Sequence, residues 1–145
     1  MRAARATAPP YGTQACRARP WAPVYDAEGF PEATLNDYLQ FVAWQDAPPR
    51  RVAHEARELA QAATWLAWHG HTWREGDLGV WTAYVLMLAG PQPDRAARLA
   101  VRRAVATLHR AYAYWHWRRT VPWQPFPVHA ADRRAWTQSL LPPPD

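Results

Sequence analysis

The stretch that decides the fold runs from Asp94 to Arg119 and reads DRAARLAVRRAVATLHRAYAYWHWRR. Apolar residues recur in it every three or four positions, which is the spacing of one face of an α-helix. These positions are Ala97, Val101, Ala104, Val105, Leu108, Tyr112 and Trp115. The stretch has seven arginines and a single acid, Asp94, whose charge suits the N-terminal end of the helix dipole. It therefore predicts a long amphipathic helix with one buried face and one basic face.

The basic face of this helix has two interpretations. Its residues are Arg95, Arg98, Arg102, His109 and His116, with Arg103 and Arg110 on the flank. On the first interpretation, these side chains are simply the solvated side of a surface helix. On the second, the planar and permanently charged guanidinium groups contact the phosphates and base edges of a nucleic acid.

The composition indicates one ordinary domain with an aromatic core. The chain has 145 residues, with ten tryptophans and six tyrosines but no isoleucine and no lysine. Asn36 is the only asparagine. Because these rare residues share AT-rich codons, a GC-rich coding bias explains why all 17 basic residues are arginine. Arginine content alone is therefore weak evidence for phosphate binding.

Charge and cysteine content exclude several classes of protein. The net charge of +5 suits a polyanionic partner. Cys16 is the only cysteine, so neither a disulfide framework nor a thiolate zinc site is expected. His69 and His71 lack a third ligand nearby, and we predict no metal and no cofactor. Without a signal-peptide pattern or an apolar run of ~20 residues, a cytoplasmic protein with no membrane partner is expected.

Three segments are predicted along the chain. Residues 1–31 contain five prolines and four arginines, with no acid before Asp26, and predict a flexible basic arm. This arm either tracks DNA or is a flexible leader, or its start codon is mis-assigned. Residues 32–128 predict a helical domain, and residues 129–145 predict a C-terminal tail that is a short helix or loose. No strand is predicted anywhere.

Three further helices precede the long one. They are expected over Thr34 to about Gln45, with a capping box from Thr34 to Asp37, over Arg50–His69, and over Asp77–Ala89. Gly70 and Gly90 are the expected terminators of the second and third. The predicted core positions are Leu35, Tyr38, Leu39 and Val42, then Val52, Ala56, Leu59, Ala63 and Leu66, then Leu78, Trp81, Val85 and Leu88, and finally Val121, Trp123 and Phe126 in a segment that folds back.

The order of these features resembles the N-terminal core-binding domain of tyrosine recombinases, the SAM-like helical domain of phage integrases. The matching stretches are TLNDYLQFVAW, TWLAWHG, WTAYVLML, RAARLAVRRAVATLHRAYAYWHW and VPWQPFP, which together cover Thr34 to Pro127. Two features depart from the family pattern. Gln124 stands where the family has Asn, and the glycine after the long helix is absent at Arg118–Thr120.

The resemblance implies an all-α fold, a compact bundle of four to five helices, that clamps double-stranded DNA. In the family, the second helix and the long helix face the major groove. Carried over to this sequence, the DNA-binding residues are Arg51, His54, Arg57, Gln61, Arg95, Arg98, Arg102, Arg103, His109 and Arg110. Arginine can pair bidentately with guanine or bridge phosphates, and Gln61 could read adenine.

Catalysis is not expected from this chain. The family's Arg, His-x-x-Arg and Tyr belong to a second domain, and only some 18 residues follow Pro127. His54-x-x-Arg57 matches the spacing but lies inside a predicted helix. Glu55 and Glu58 are interpreted as ordinary helix ion-pair partners of the nearby arginines, not as an acid–base pair. No small-molecule substrate is predicted.

The sequence leaves several functions open. The chain is expected to be a truncated or accessory recombination protein that binds double-stranded DNA, with a recombinase catalytic subunit or another protein as a further partner. A rival hypothesis is a helical protein-interaction module whose exposed face contains Trp65, Trp68 and Trp117. A third is a decaying fragment whose tryptophans mark the lost contact with a missing domain.

Overall fold

A computed structural model describes residues 12–13, 24–26, 28, 32–141 and 143, and this part of the chain is mostly helical. The predicted all-α class is confirmed. The five helices of the described residues are α1 (Ala33–Trp44), α2 (Pro49–Trp68), α3 (Leu78–Ala89), α4 (Arg95–Trp117) and α5 (Ala130–Leu140). The chain divides into two compact units, Met1–Thr72 and Trp73–Asp145. This division falls inside the range 32–128 for which one domain was predicted.

The first unit is built on the packing of α1 against α2. All nine core positions predicted for these two helices are buried. Pro49 opens α2 at the first helical position, where the missing N–H costs no hydrogen bond. Gly70 follows the helix with φ of +71°, a conformation that glycine adopts without steric cost. The periodicity of the sequence therefore identified the interface between the two helices correctly.

The cap of α1 differs from the prediction. Glu32 is the N-cap, and its carboxylate accepts a 2.6 Å hydrogen bond from the Leu35 amide. Thr34 lies inside the first turn of the helix, so the predicted capping box from Thr34 to Asp37 is wrong. The longer Glu side chain reaches the same orphan N–H group that a shorter capping residue would satisfy.

Two short strands occur within the segment predicted as an arm. β1 (Gly12–Thr13) pairs antiparallel with β2 (Val24–Tyr25), so the expectation that the chain has no strand is wrong here. The Asn36 side chain accepts a 2.7 Å hydrogen bond from the Val24 amide and donates a 3.0 Å bond to its carbonyl. Val24 is buried. Most other residues of the predicted arm lie outside the described residues.

The second unit is built on an aromatic core between α3 and α4. Trp81, Tyr84, Tyr112, Trp115 and Phe126 are buried, and neighbouring rings lie 5.2 to 6.1 Å apart, centre to centre. Many of the contacts are edge-to-face, the geometry that the quadrupoles of aromatic rings favour.

The prediction for α3 was correct at two positions and wrong at two. Trp81 and Val85 are buried, whereas Leu78 is exposed and Leu88 is half-buried. Tyr84, not predicted as a core residue, takes part in the aromatic cluster. A helix without charged residues gives no polar face from which the orientation of its buried face could be read.

The segment between α4 and α5 folds back as predicted at two of its three core positions, and the prediction for Trp123 is wrong. Val121 and Phe126 are buried, and Trp123 is exposed although its indole N–H donates to the Gly76 carbonyl at 3.3 Å. The Gln124 side chain donates to the His109 carbonyl and accepts from the Phe126 amide. Gln124 thus stabilises this corner with its own side-chain hydrogen bonds.

The end of α4 contains an arginine where glycine is usual. Arg119 has φ of +62°, in the left-handed region. The Thr120 amide donates to the Trp115 carbonyl at 2.7 Å, and the Arg119 amide donates to the His116 carbonyl at 3.1 Å. These two bonds form a Schellman motif, which favours glycine at the position of Arg119.

The Arg119→Gly variant is therefore expected to be more stable than the wild type by about 1 kcal/mol, because glycine removes the steric cost of the left-handed conformation. Chemical denaturation followed by circular dichroism would measure the change. The control is Arg118→Gly, since Arg118 has a right-handed helical conformation and glycine should lower stability there. Equal loss of stability in both variants would contradict the prediction.

Candidate nucleic-acid interface

The net positive charge of the chain belongs to one of its two units. Residues 73–145 carry ten arginines and five acidic residues, which is a net charge of +5. Residues 1–72 carry seven arginines and seven acidic residues, so their net charge is zero. The electrostatic attraction to a polyanion therefore comes from the second unit.

Two of the four residues predicted on α2 lie beside carboxylates of the same helix. Arg51 Nε donates to Glu55 Oε2 at 3.2 Å, and His54 Nε2 lies 3.5 Å from Glu58 Oε1. Glu55 is itself only 1% exposed and accepts a 2.7 Å hydrogen bond from the Tyr38 hydroxyl. Arg51 therefore compensates a buried carboxylate: the predicted Arg51–Glu55 helix pair is confirmed, whereas the burial of Glu55 was not predicted.

The remaining pair on α2 is open to solvent. Arg57 and Gln61 are both exposed and lie four residues apart, hence on the same face of the helix. Of the four DNA-binding residues predicted on α2, only these two are exposed and have no described contact with Glu55 or Glu58. This part of the interface is small.

The basic face of α4 has the exposure that the sequence predicted. Arg95, Arg102, Arg103 and Arg110 are exposed, and Arg98 is half-buried. The helix begins at Asp94, whose carboxylate caps the Ala97 amide at 2.8 Å. From residue 95 to residue 131 the sequence has no acidic residue. From Arg102 onward, the arginines of this helix thus have no acidic residue within one helical turn in the sequence.

The arginines of α4 fall on two sides of its exposed face. Arg98 and Arg102 border a groove between α4 and α5, whereas Arg103 and Arg110 are not among the residues that line it. The advance of about 100° per residue along the helix places Arg103 and Arg110 together on the far side. This separation allows the two sides to be tested independently.

His109, predicted as a DNA-binding residue, instead has a partner on α5. Its Nε2 atom lies 3.1 Å from Arg133 Nη1 and the side chain is half-buried. Burial, followed by the charges of Arg133 and Arg110, lowers the pKa of His109 below its usual 6.5. The imidazole is accordingly neutral at pH 7 and adds no positive charge to the face.

The structure adds two arginines that were not among the predicted site residues. Residues from His129 were expected to be a short helix or a loose tail, and the helix alternative is correct. Arg133 and Arg134 on α5 line the groove opposite Arg98 and Arg102. The sequence signal was the Arg133–Arg134 pair itself, but only tertiary packing brings it beside α4.

The structure buries one of the three tryptophans that the protein-interaction hypothesis places on an exposed face. Trp65 is 8% exposed, and the centre of its ring lies 4.5 Å from that of His69, with the two planes tilted by 39°. Trp68 and Trp117 are 53% and 72% exposed, but they belong to different units. His69 and His71 both lie beside the Trp65 ring.

The described part of the chain has neither a metal-binding cluster nor a membrane-spanning helix. It contains no group of three or more His, Cys, Asp or Glu side chains that could hold a metal ion. None of its helices is both long enough and apolar enough to span a bilayer.

The chain was compared with protein-family models, with curated proteins and with solved structures, and no match was found in any of the three.

Proposed function

We propose that this protein binds double-stranded DNA through the arginine side chains on the exposed face of α4. The observation that supports this most strongly is the charge distribution: the entire net charge of +5 belongs to residues 73–145. Within them, α4 has five arginines and no acid. Neutralisation of phosphates by such a row releases counterions and favours binding to any duplex.

The resemblance to the core-binding domain of tyrosine recombinases supports the same proposal. Under it, the protein is an accessory recombination protein that occupies DNA in the cytoplasm, and no residue described here is assigned a role in strand exchange. His54 and Arg57 match the spacing of a His-x-x-Arg motif, but they lie on α2, and His54 is 3.5 Å from Glu58. This pairing favours a structural role for His54.

The proposal assigns the main contact to the second unit. The charges of residues 1–72 cancel, and Arg51 and His54 are already paired with carboxylates. Arg102 and Arg103 are exposed on α4, and the sequence has no acidic residue within one helical turn of either. These arginines are therefore expected to contribute more to DNA affinity than any residue of α2.

The Arg103→Ala variant is expected to bind duplex DNA more weakly, and the slope of log K against log salt should fall by about one unit for each phosphate contact that is lost. The measurement is fluorescence anisotropy with a labelled random duplex and with the flanking genomic duplex, at ~50 to 200 mM salt. Tighter binding to the flanking duplex would indicate sequence readout in addition to phosphate contacts.

The matched control is Arg57→Ala, which also removes one exposed arginine from a helix. This residue lies in the first unit, whose net charge is zero. Its salt slope is expected to fall by less than that of the Arg103→Ala variant, because α4 makes the main contact. An equal decrease in both variants would show that only total charge matters, and no binding at the lowest salt would contradict the proposal altogether.

A further inference from the structure

The groove between α4 and α5 is positively charged on both sides. Arg98 and Arg102 approach it from α4, and Arg133 and Arg134 approach it from α5. Its volume is about 820 Å³, within the range of sites that hold small organic molecules. No acidic side chain lines it, although Asp132 lies on the same helix as Arg133. The lining of the groove therefore contains four arginines and no carboxylate.

The inner surface of the groove is apolar. Val105 and Leu141 line it and are both buried, and the small side chains of Ala106 and Ala130 leave room beside them. An apolar surface of this kind favours a flat or hydrocarbon-like part of a ligand, because burying that part removes apolar area from water. A simple inorganic anion would leave it unused.

Arg133 is held in position by neutral groups. Its Nη1 atom donates to the Pro127 and Val128 carbonyl oxygens and lies 3.1 Å from His109 Nε2. Burial and the neighbouring arginines lower the pKa of His109, so this partner is uncharged at pH 7. These contacts orient the guanidinium without cancelling its charge, and an oriented guanidinium loses less freedom when it binds an anion.

We propose that this groove is a binding site for an organic phosphate with a flat, apolar body, which is the chemistry of a nucleotide. The phosphate lies between the arginines of α4 and those of α5, where planar guanidinium groups can bind its oxygens in pairs. The base lies on the surface formed by Val105 and Leu141. The sequence predicted no small-molecule substrate, and the nucleotide here is a ligand, with no reaction assigned to it.

This inference does not depend on DNA binding by α4, because its key residue is Arg134. Arg134 is exposed on α5 and lines the groove, whereas Arg103 is exposed on the far side of α4 and does not. The two arginines can thus be exchanged for alanine with the same change in net charge. Loss of nucleotide affinity is then expected only when Arg134 is replaced, whereas replacement of Arg103 is expected to weaken DNA binding.

The test is isothermal titration of the full chain with adenosine 5′-monophosphate, compared with adenosine and with inorganic phosphate. The nucleotide is expected to bind about tenfold or more tightly than either part alone, since only it uses both the arginines and the apolar surface. Arg134→Ala is expected to weaken nucleotide binding about tenfold or more, while Arg103→Ala leaves it unchanged.

Three results would overturn the proposal. They are no nucleotide binding at millimolar concentration, equal loss in the Arg134→Ala and Arg103→Ala variants, and unchanged affinity in the Arg134→Ala variant. Thermal unfolding of each variant would verify that it is folded. Because no duplex is present, failure of DNA binding would not affect this result.

A second titration, in the presence of saturating duplex, distinguishes the two sources of a nucleotide. Displacement of the mononucleotide by duplex, in both the wild type and the Arg103→Ala variant, would assign the groove to a nucleotide of a nucleic acid. Undiminished binding would assign it to a free nucleotide. Either result supports a site for this class of ligand.

Discussion

The Gly76→Ala variant is expected to lose about 3 kcal/mol of the free energy of unfolding of the second unit, because the added methyl group has no space. A Cβ atom at this position would lie 2.7 Å from the Tyr112 hydroxyl oxygen and 2.8 Å from Trp81 Nε1. Both rings are completely buried in the aromatic core. They cannot move aside without disturbing their neighbours, since close-packed interiors transmit strain.

The displacement would also break a hydrogen bond. The Tyr112 hydroxyl donates to the Trp73 carbonyl at 2.7 Å, and burial raises the pKa of this hydroxyl, so it remains a donor. A shift of the Tyr112 ring would leave the donor and the carbonyl acceptor incompletely satisfied. The predicted loss therefore combines overpacking with a weakened hydrogen bond.

Thermal and chemical denaturation followed by circular dichroism would measure the loss. The control is Gly79→Ala, an exposed position on α3 where the nearest atom to a new Cβ is an Asp77 carboxylate oxygen at 3.3 Å. A change within about 1 kcal/mol is expected there, because alanine favours the helix. In the Gly76→Ala, Tyr112→Phe double variant, the two losses should be less than additive. Full additivity would contradict the proposed clash.

The Glu55→Ala variant is expected to destabilise the first unit by about 3 kcal/mol, because it removes a buried carboxylate from between its partners. Glu55 accepts from the Tyr38 hydroxyl at 2.7 Å and from Arg51 Nε at 3.2 Å. Without it, the buried tyrosine hydroxyl loses this acceptor and a cavity forms between α1 and α2. Arg51 remains half-exposed and can be hydrated, which limits the loss.

The matched control for this prediction lies one turn further along α2. Glu58→Ala removes a carboxylate whose described partner is His54 at 3.5 Å, near the protein surface. A loss below about 1 kcal/mol is expected for such a pair. Glu55→Gln should have an intermediate effect because the amide oxygen still accepts from Tyr38. If alanine at the two glutamate positions had equal effects on the denaturation midpoint, Glu55 would have no special role.

The positions of α1, α2 and α4 were predictable because each has a sequence period that matches its buried face. The stripe from Val101 to Trp115 and the nine core residues of α1 and α2 are buried as expected. The ends of α2 and α3 were predictable from Gly70 and Gly90, which adopt positive φ. Local sequence contains these signals because helix formation and termination depend on residues within a few positions of one another.

The polar interior was not predictable in the same way. Asn36 bonds with the backbone of Val24, 12 residues away, and Tyr38 bonds with Glu55, 17 residues away. A buried Glu has the same local sequence signature as an exposed one, since both can occupy an i, i+4 pair with arginine. Which of Glu55 and Glu58 is buried depends on how α1 packs against α2.

The candidate site, too, was predictable from the sequence only in part. The sequence by itself determined that α4 is a helix with a basic face, because charge and periodicity are local properties of one segment. Only tertiary structure decided which basic side chains remain available: it buries Glu55, the carboxylate paired with Arg51, joins His109 to Arg133, and brings α5 beside α4 to form the arginine groove. The physical reason is that burial and electrostatic interaction depend on distance in space, which connects residues far apart in the chain.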